Sequence, residues 1–206
     1  MPNVSSARAL WKIIKIAIGV SLMYEVRWHG RAGQGVITIS RLLGLAAMIE
    51  GKHIQAFPEF GPERIGAPMS GFTRISEKPI EIHSKIYHPN AVIVLDSTLL
   101  GFVNVSDGLK KQGCLLVNST KSPQEITDEL GLKGPSSFCV DATGISLSIL
   151  KSTRGFNTVM LGAFTKATDA VSTDSVKEAL RSRFTGDLLE KNLELLANGS
   201  QEVVSK

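Results

Sequence analysis

The stretch Trp28-His29-Gly30-Arg31-Ala32-Gly33-Gln34-Gly35 holds the residues of this chain with the plainest chemical potential. There an extended segment, Tyr24–Trp28, turns into an apolar helical run. A glycine-rich turn from strand to helix lets the backbone come close to a partner or an anion, and aims unpaired helix N–H groups at it. Arg31 at such a turn meets the positive end of the helix dipole and calls for an anionic partner. A carboxylate such as Glu63, a subunit surface or a phosphate would each serve. Gln34 is a neutral donor and acceptor able to bond a neighbouring loop. His29 reads as a base or as a core-edge histidine that orients the turn, the structural role being favoured for a lone imidazole. A second loop, Phe57-Pro58-Glu59-Phe60-Gly61-Pro62-Glu63-Arg64-Ile65-Gly66-Ala67-Pro68, adds two carboxylates and an arginine. Glu59, Glu63 and Arg64 read equally as an ion-pair network that staples the loop and as an interface.

Several chemistries are disfavoured by what these residues lack. Gly30, Gly33 and Gly35 run G-x-x-G-x-G, and the next predicted strand ends Ala56-Phe57-Pro58 with no acid to hold a ribose, although Glu59 lies nearby; both features argue against independent NAD or FAD binding. No Gly-Lys-Ser/Thr follows, which excludes a P-loop. Asp96 and Asp141 each end a predicted parallel strand. That is the carboxyl edge, where α/β proteins place ligands, but an aspartate there also caps the next helix. Neither a Ser-His-Asp set, a Gly-x-Ser-x-Gly elbow nor a paired His/Glu spacing for metal occurs. The residues alone describe a non-catalytic α/β domain with a conspicuous loop surface.

The elements that must carry these loops follow from periodicity. Val36–Ile49 has apolar residues at helical spacing and ends at Gly51, a good stop. His53–Phe57 is a plausible strand. Ser70–Ser76 and Ile80–Ile86 alternate around Glu77-Lys78-Pro79, which predicts a β-hairpin insertion. Ala91–Leu95, Cys114–Asn118 and Phe138–Asp141 are apolar runs of the kind found in parallel strands buried on both faces. Their alternation with helical segments predicts an α/β fold with a mainly parallel sheet and helices on both faces. Thr158–Ala167, Thr173–Phe184 and Gly186–Asn198 make a helical C-terminal third, with Ser172/Thr173 and Asp187 as starts.

The 206 residues fit one domain; 43% are hydrophobic and 20% charged, as in an ordinary globular protein. The net charge of +4 is spread over scattered residues, not gathered in a basic stripe interleaved with aromatics, so nucleic acid is not an expected partner. Cys114 and Cys139 are the sole cysteines; this chain by itself can hold neither an iron–sulfur cluster nor a structural zinc, and sparse thiols suit a reducing cytoplasm. Residues 1–22 form a basic, apolar stretch in which Lys12 and Lys15 interrupt any signal-like run, and which is too short and charged to span a bilayer. They are read as an extension upstream of a true start at Met23. The rival reading is a short amphipathic helix that docks on a partner.

The two loop motifs, together with Phe72-Thr73-Arg74-Ile75-Ser76, Asn157-Thr158-Val159-Met160-Leu161-Gly162-Ala163-Phe164 and Leu188-Leu189-Glu190-Lys191-Asn192-Leu193, resemble the gamma subunit of 2-oxoacid:ferredoxin oxidoreductases over residues 23–200. The likeness is to the pyruvate and 2-oxoisovalerate enzymes. One departure is Arg154-Gly155-Phe156 before Asn157, where a proline is expected; it bears on the local turn. Such enzymes decarboxylate a 2-oxoacid on thiamine diphosphate, pass two electrons through iron–sulfur clusters to ferredoxin, and release an acyl-CoA.

The resemblance implies that residues 23–206 are a gamma-type domain, not catalytic alone, in a cytoplasmic heterotetramer with alpha, beta and delta subunits. Thiamine diphosphate and Mg2+ would sit between alpha and beta, and [4Fe-4S] clusters on beta and delta. Ferredoxin would be reached through the complex; neither nucleic acid nor membrane is expected. Pyruvate is the expected substrate, ahead of branched-chain 2-oxoacids. Gly30, Arg31, Gly33, Gln34 and Gly35 would shape access for CoA, and Phe57, Pro58, Glu59, Phe60, Gly61, Glu63 and Arg64 would meet partner subunits. The competing class is a stand-alone CoA- or nucleotide-binding module. An indolepyruvate-type enzyme is a third option, disfavoured by the form of the second loop.

Overall fold

Strand β1 (Tyr24–Arg31) is the spine from which the first glycine-rich turn departs. Its alternation sends Val26 and Trp28 into one core and Arg27 and His29 to the other face. A computed structural model describes residues 23–59 and 65–206; the 1–22 extension and Phe60, Gly61, Pro62, Glu63 and Arg64 lie outside the described residues. After the turn comes helix α1 (Val36–Ile49), whose buried Val36, Ile39, Leu42, Leu43, Ala46 and Ala47 fall at helical spacing. Gly51 closes it with φ +77.

Strands β2 (His53–Pro58), β3 (Pro68–Ser76), β4 (Ala91–Val94), β5 (Cys114–Asn118), β6 (Ser136–Val140) and the short β7 (Val204–Ser205) complete a seven-stranded mixed sheet ordered β2-β3-β1-β4-β5-β6-β7. The β1-β4, β4-β5 and β5-β6 pairs are parallel, whereas β2-β3, β1-β3 and β6-β7 are antiparallel. Every residue of β4 and β5 is buried, as their unbroken apolar runs require.

The hairpin is placed differently from its sequence-based expectation. It is β2 that returns into β3, around the second glycine/proline loop, and Ile80–Ile86 forms no strand. Strand β3 has both edges occupied, by β1 and β2, so no third strand can pair with it. Instead the guanidinium of buried Arg74 donates to the carbonyls of Ile82 and Lys85 at 3.3 Å each, fixing that segment without a ladder.

Helices lie on both faces. On one, α1 packs with α3 (Ala142–Leu150), α4 (Phe156–Ala167), α5 (Thr173–Arg181) and α6 (Gly186–Glu202) over Val26, Trp28, Ile93 and Leu116. On the other, α2 (Pro123–Glu129) and a 3-10 turn at Ser97–Gly101 cover Val92, Val94, Leu115 and Val117. Ser172 caps α5 as its position predicts, accepting from Ser175 N at 3.1 Å. Helices α4 and α6 touch backbone to backbone: a Cβ on Gly162 would come 2.0 Å from the Leu196 carbonyl oxygen, and one on Gly199 2.0 Å from that of Val159. Ahead of α4, the place of the expected proline is taken by a 3-10 turn at Thr153–Gly155, capped by Ser152.

Candidate functional site

The glycine turn sits where β1 and β4 run side by side in parallel and their chains leave the sheet in different directions. Parallel α/β sheets bind ligands outside the carboxyl ends of such strands. Gly30 is required because a Cβ would lie 2.6 Å from Val36 Cγ2, and Gly35 because its φ of +78 is left-handed and a Cβ would meet Asn157 Nδ2 at 2.5 Å. Gly35 starts α1 with no side-chain cap, so the first N–H groups of a 14-residue helix receive no bond from a capping side chain.

Asp96, the residue two beyond β4, is the hub of the turn. Its Oδ2 accepts from Arg31 Nε at 3.1 Å and from Gln34 Nε2 at 2.8 Å, and its Oδ1 accepts from Thr98 N at 3.0 Å and Thr98 Oγ1 at 2.6 Å. Burial opposes ionisation of this carboxyl, but the hydrogen bonds from Thr98 and Gln34, with the Arg31 charge, outweigh it and hold the group below the usual aspartate range. Asp96 thus caps the 3-10 turn and also lines a cleft at the carboxyl edge of the sheet. Asp141 also caps, accepting from Gly144 N at 2.8 Å to start α3, and lines a second cleft with Ser119 and Lys121.

The carboxylate that answers Arg31 among the described residues is thus Asp96, while Glu63 lies outside them. The same guanidinium donates from Nη1 to the Gly66 carbonyl at 3.1 Å and from Nη2 to Thr98 Oγ1 at 2.8 Å. Two backbone bonds, Ala32 N to Ala67 O at 2.9 Å and Gly66 N to Ala32 O at 3.2 Å, join the glycine turn to the end of the second loop. Gln34 folds back as well, its Oε1 accepting from Arg31 N at 2.7 Å. The glycine turn and the described end of the second loop, Ile65–Pro68, are thus hydrogen-bonded together.

At the other end of the second loop, Phe57 packs on Phe72 with ring centroids 5.2 Å apart and lies under the Arg74 guanidinium. Pro58 pairs with Gly71 in the ladder. Glu59 binds Lys85 Nζ at 2.9 Å, which keeps its carboxyl below the usual range. His29 takes the structural role. It is 5% exposed, and its Nε2 accepts from Arg27 Nε at 3.1 Å; burial and then the Arg27 charge push its pKa down to about 4.

A cleft of about 610 Å3 opens at this edge, with Gly33, Gln34, Gly35 and Asp96 on one part of its wall. Among its other lining residues are polar positions not singled out as site residues: Asn118, Thr143, Arg154, Asn157 and Arg183. Asn118 Nδ2 ties the Leu95 carbonyl (3.0 Å) to Thr143 Oγ1 (2.9 Å), and Asn157 Nδ2 donates to the Gln34 carbonyl at 3.0 Å. The side-chain oxygen of Asn157 is buried and has no partner among the described residues. A polar residue closing an apolar strand could have flagged Asn118; nothing in the local pattern marks Arg154 or Arg183, which fold to the cleft from the C-terminal third.

No three His, Cys, Asp or Glu side chains converge as a metal site among the described residues. Both cysteines are buried, and burial raises their thiol pKa values, Cys114 to about 12 and Cys139 to about 11. Among the described residues no helix is long and apolar enough to cross a membrane.

Residues 25–202 match the sequence profile of the pyruvate ferredoxin/flavodoxin oxidoreductase family. The chain is 49% identical over 170 residues to the pyruvate/ketoisovalerate oxidoreductases common subunit gamma of Pyrococcus furiosus, covering 82% of this chain and 91% of that one. It is 46% identical over 184 residues to pyruvate synthase subunit PorC of Methanocaldococcus jannaschii, covering 89% and 99%. The crystal structure of the Thermotoga maritima pyruvate oxidoreductase subunit PORC superposes with a TM-score of 0.80 at 36% identity, covering 89% of this chain and 98% of that chain.

Proposed function

The chain belongs to the pyruvate ferredoxin/flavodoxin oxidoreductase family as a gamma subunit of a 2-oxoacid:ferredoxin oxidoreductase, and from that premise we propose that it serves pyruvate oxidation: pyruvate, CoA and oxidised ferredoxin giving acetyl-CoA, CO2 and reduced ferredoxin. Its part is to complete the assembly and shape access to the reacting centre. Pyruvate is favoured because it occurs in the names of both curated relatives and of the Thermotoga structure. The second reading is 2-oxoisovalerate, supported by the Pyrococcus relative, a common subunit named for both oxidoreductases. A subunit shared by two such enzymes is one that does not choose the 2-oxoacid side chain.

The observation that carries this reading is the joining of the glycine turn to the end of the second loop at Gly66, through Arg31, Asp96 and Thr98, beside a cleft. In our reading Gly30, Arg31, Gly33, Gln34 and Gly35 form the wall past which CoA enters, and Phe57, Pro58, Glu59, Phe60, Gly61, Glu63 and Arg64 meet the alpha and beta subunits. The donor set of this chain does not fit a cluster or a magnesium-bound diphosphate: two inert, buried thiols and no convergent carboxylates among the described residues. In our reading thiamine diphosphate, Mg2+ and the [4Fe-4S] clusters are held by the alpha, beta and delta subunits, and ferredoxin meets the complex there. Unpaired buried thiols are in keeping with a reducing cytoplasm.

The test is anaerobic reconstitution of the complex with and without this chain, assayed with pyruvate and with 2-oxoisovalerate. Turnover that requires the chain and favours pyruvate is expected; equal turnover in its absence overturns the reading. In the same assay Arg31→Ala raises the KM for CoA or weakens assembly while the fold stays intact, and unchanged values for both remove Arg31 from this role.

A further inference from the structure

We propose that the free edge of β2, with the outer stripe of α1 that overhangs it, is an interface where two copies of this chain pair about a two-fold axis and continue the sheet from one copy into the other.

Among the described residues β2 is the one long strand with an unoccupied side. It pairs with β3 alone, whereas the far end of the sheet is closed by β7. Sheet edges are ordinarily protected by charged side chains, bulges or proline. β2 reads His53-Ile54-Gln55-Ala56-Phe57-Pro58, an unbroken ladder without lysine, arginine or carboxylate, and its proline guards only the last position.

Backbone alternation tells which groups a partner strand would meet. Glu59 N donates to Ser70 O at 2.9 Å, in the same register that pairs Phe57 with Phe72. His53, Gln55 and Phe57 therefore turn their backbone groups to β3, and Ile54 and Ala56 turn theirs to the open edge. This edge is complementary to itself. An antiparallel second copy of β2, set with Gln55 opposite its own equivalent, brings Ile54 opposite Ala56, and each such pair exchanges both of its N–H to C=O bonds. Every side chain stays on its own face of the joined sheet, and the residue on the axis is neutral, so no like charges are set opposite each other. Such a contact is isologous, which is why the partner is a second copy of this chain.

Strand pairing alone falls short of the ~800 Å2 per partner of a standard interface, and α1 adds apolar area beside it. Val36 lies over β3, where a Cβ on Gly71 would come 2.8 Å from its Cγ1, and Gly44 lies over β2, where its own added Cβ would come 3.4 Å from Ile54 Cδ1. Continued around the helix in the same sense, Ile37, Arg41 and Met48 stand beyond β2, above the open edge. Met48 is 55% exposed, and Arg41 is exposed beside it. The two-fold axis brings the stripes of both copies together over the joined strands. It also reverses strand direction, so the glycine turns point to opposite ends of the dimer, and Pro58 with the loop after it stays outside the pairing.

Sedimentation velocity of the full-length chain tests this, alongside Met48→Lys, Ala56→Pro and Gln55→Cys, with Leu147→Lys on exposed α3 as the control. A dimer is expected, weakened about tenfold by Met48→Lys, lost in Ala56→Pro, which removes an outward N–H and no bond to β3, and unchanged in the control. Met48→Lys alters only an exposed position, so it reads the interface even where Ala56→Pro disturbs the strand. Gln55→Cys is expected to form a disulfide between copies on mild oxidation, since both native thiols are buried. A wild-type chain that stays monomeric, or dimers that Met48→Lys and Ala56→Pro leave intact, overturns the proposal. So does a dimer of Gln55→Cys that oxidation leaves without the cross-link. A chain that dimerises yet is not needed for turnover keeps this interface and removes the subunit reading, and a monomer that restores turnover does the reverse.

Discussion

Arg27 donates from Nε to Nε2 of His29 at 3.1 Å, so the acceptor nitrogen of this imidazole must be unprotonated in the folded chain. The two side chains point to the same sheet face from alternate positions of β1, and both are buried. Burial, reinforced by the Arg27 charge, sets the folded pKa near 4 against 6.5 for a free histidine.

The sign of the pH effect follows. Between pH 6.5 and 4 the unfolded chain binds a proton at His29 that the folded chain refuses, so stability is complete above about 6.5 and is lost as pH falls towards 4. The loss is on the order of 3 kcal/mol. Urea midpoints measured from pH 7.5 to 4.5 will show it, and His29→Gln will flatten the part of the slope that belongs to this residue. An equal slope in the variant would assign the effect elsewhere.

Asp96→Asn keeps the shape of the hub but removes the charge that Arg31 and Gln34 address. A charge-assisted bond in a partly exposed site is worth about 1 kcal/mol after solvent screening, so global stability drops by about 1–2 kcal/mol. The local effect is larger: amide exchange at residues 31–34 and 65–68 rises about tenfold in the variant, because the bonds holding the two loops share this anchor. Unchanged exchange at 65–68 would mean that the backbone bonds of Ala32 suffice alone.

Gly162→Ala and Gly199→Ala each force apart α4 and α6, since the new methyl would lie 2.0 Å from a carbonyl oxygen. We expect each to cost about 2–4 kcal/mol by thermal melting. Gly51→Ala is the comparison: φ is +77 but no atom lies within 4 Å of the added Cβ, so the loss is the backbone strain of about 1 kcal/mol. Equal losses at all three sites would disprove the close-contact account.

Deleting residues 1–22 is expected to leave assembly and turnover of the reconstituted complex unchanged. A lost association in native mass spectrometry would make the segment a docking element instead.

How much of this was legible in the residues depended on the range of the interactions. Helix α1 and strand β5 have the bounds that periodicity predicts, Val36–Ile49 and Cys114–Asn118, because each is decided by its own burial pattern. Ile80–Ile86 alternates just as well, yet β3 had no edge left for it, a fact that belongs to β1 and β2. The need of Arg31 for an anion was readable from the helix dipole, but its partner lies 65 positions away on another strand end. Arg154, Asn157 and Arg183 join the cleft only once α3 to α6 have packed, so no short-range pattern names them.

Cys114 packs in the core beneath α1 and α4, Cys139 in the one beneath the 3-10 turn and α2, so the sheet itself stands between the two thiols. With both thiol pKa values raised by burial, little thiolate is present to meet an oxidant. Air oxidation therefore cannot join Cys114 to Cys139 within the folded subunit, and this chain needs no reductant to keep those two thiols apart.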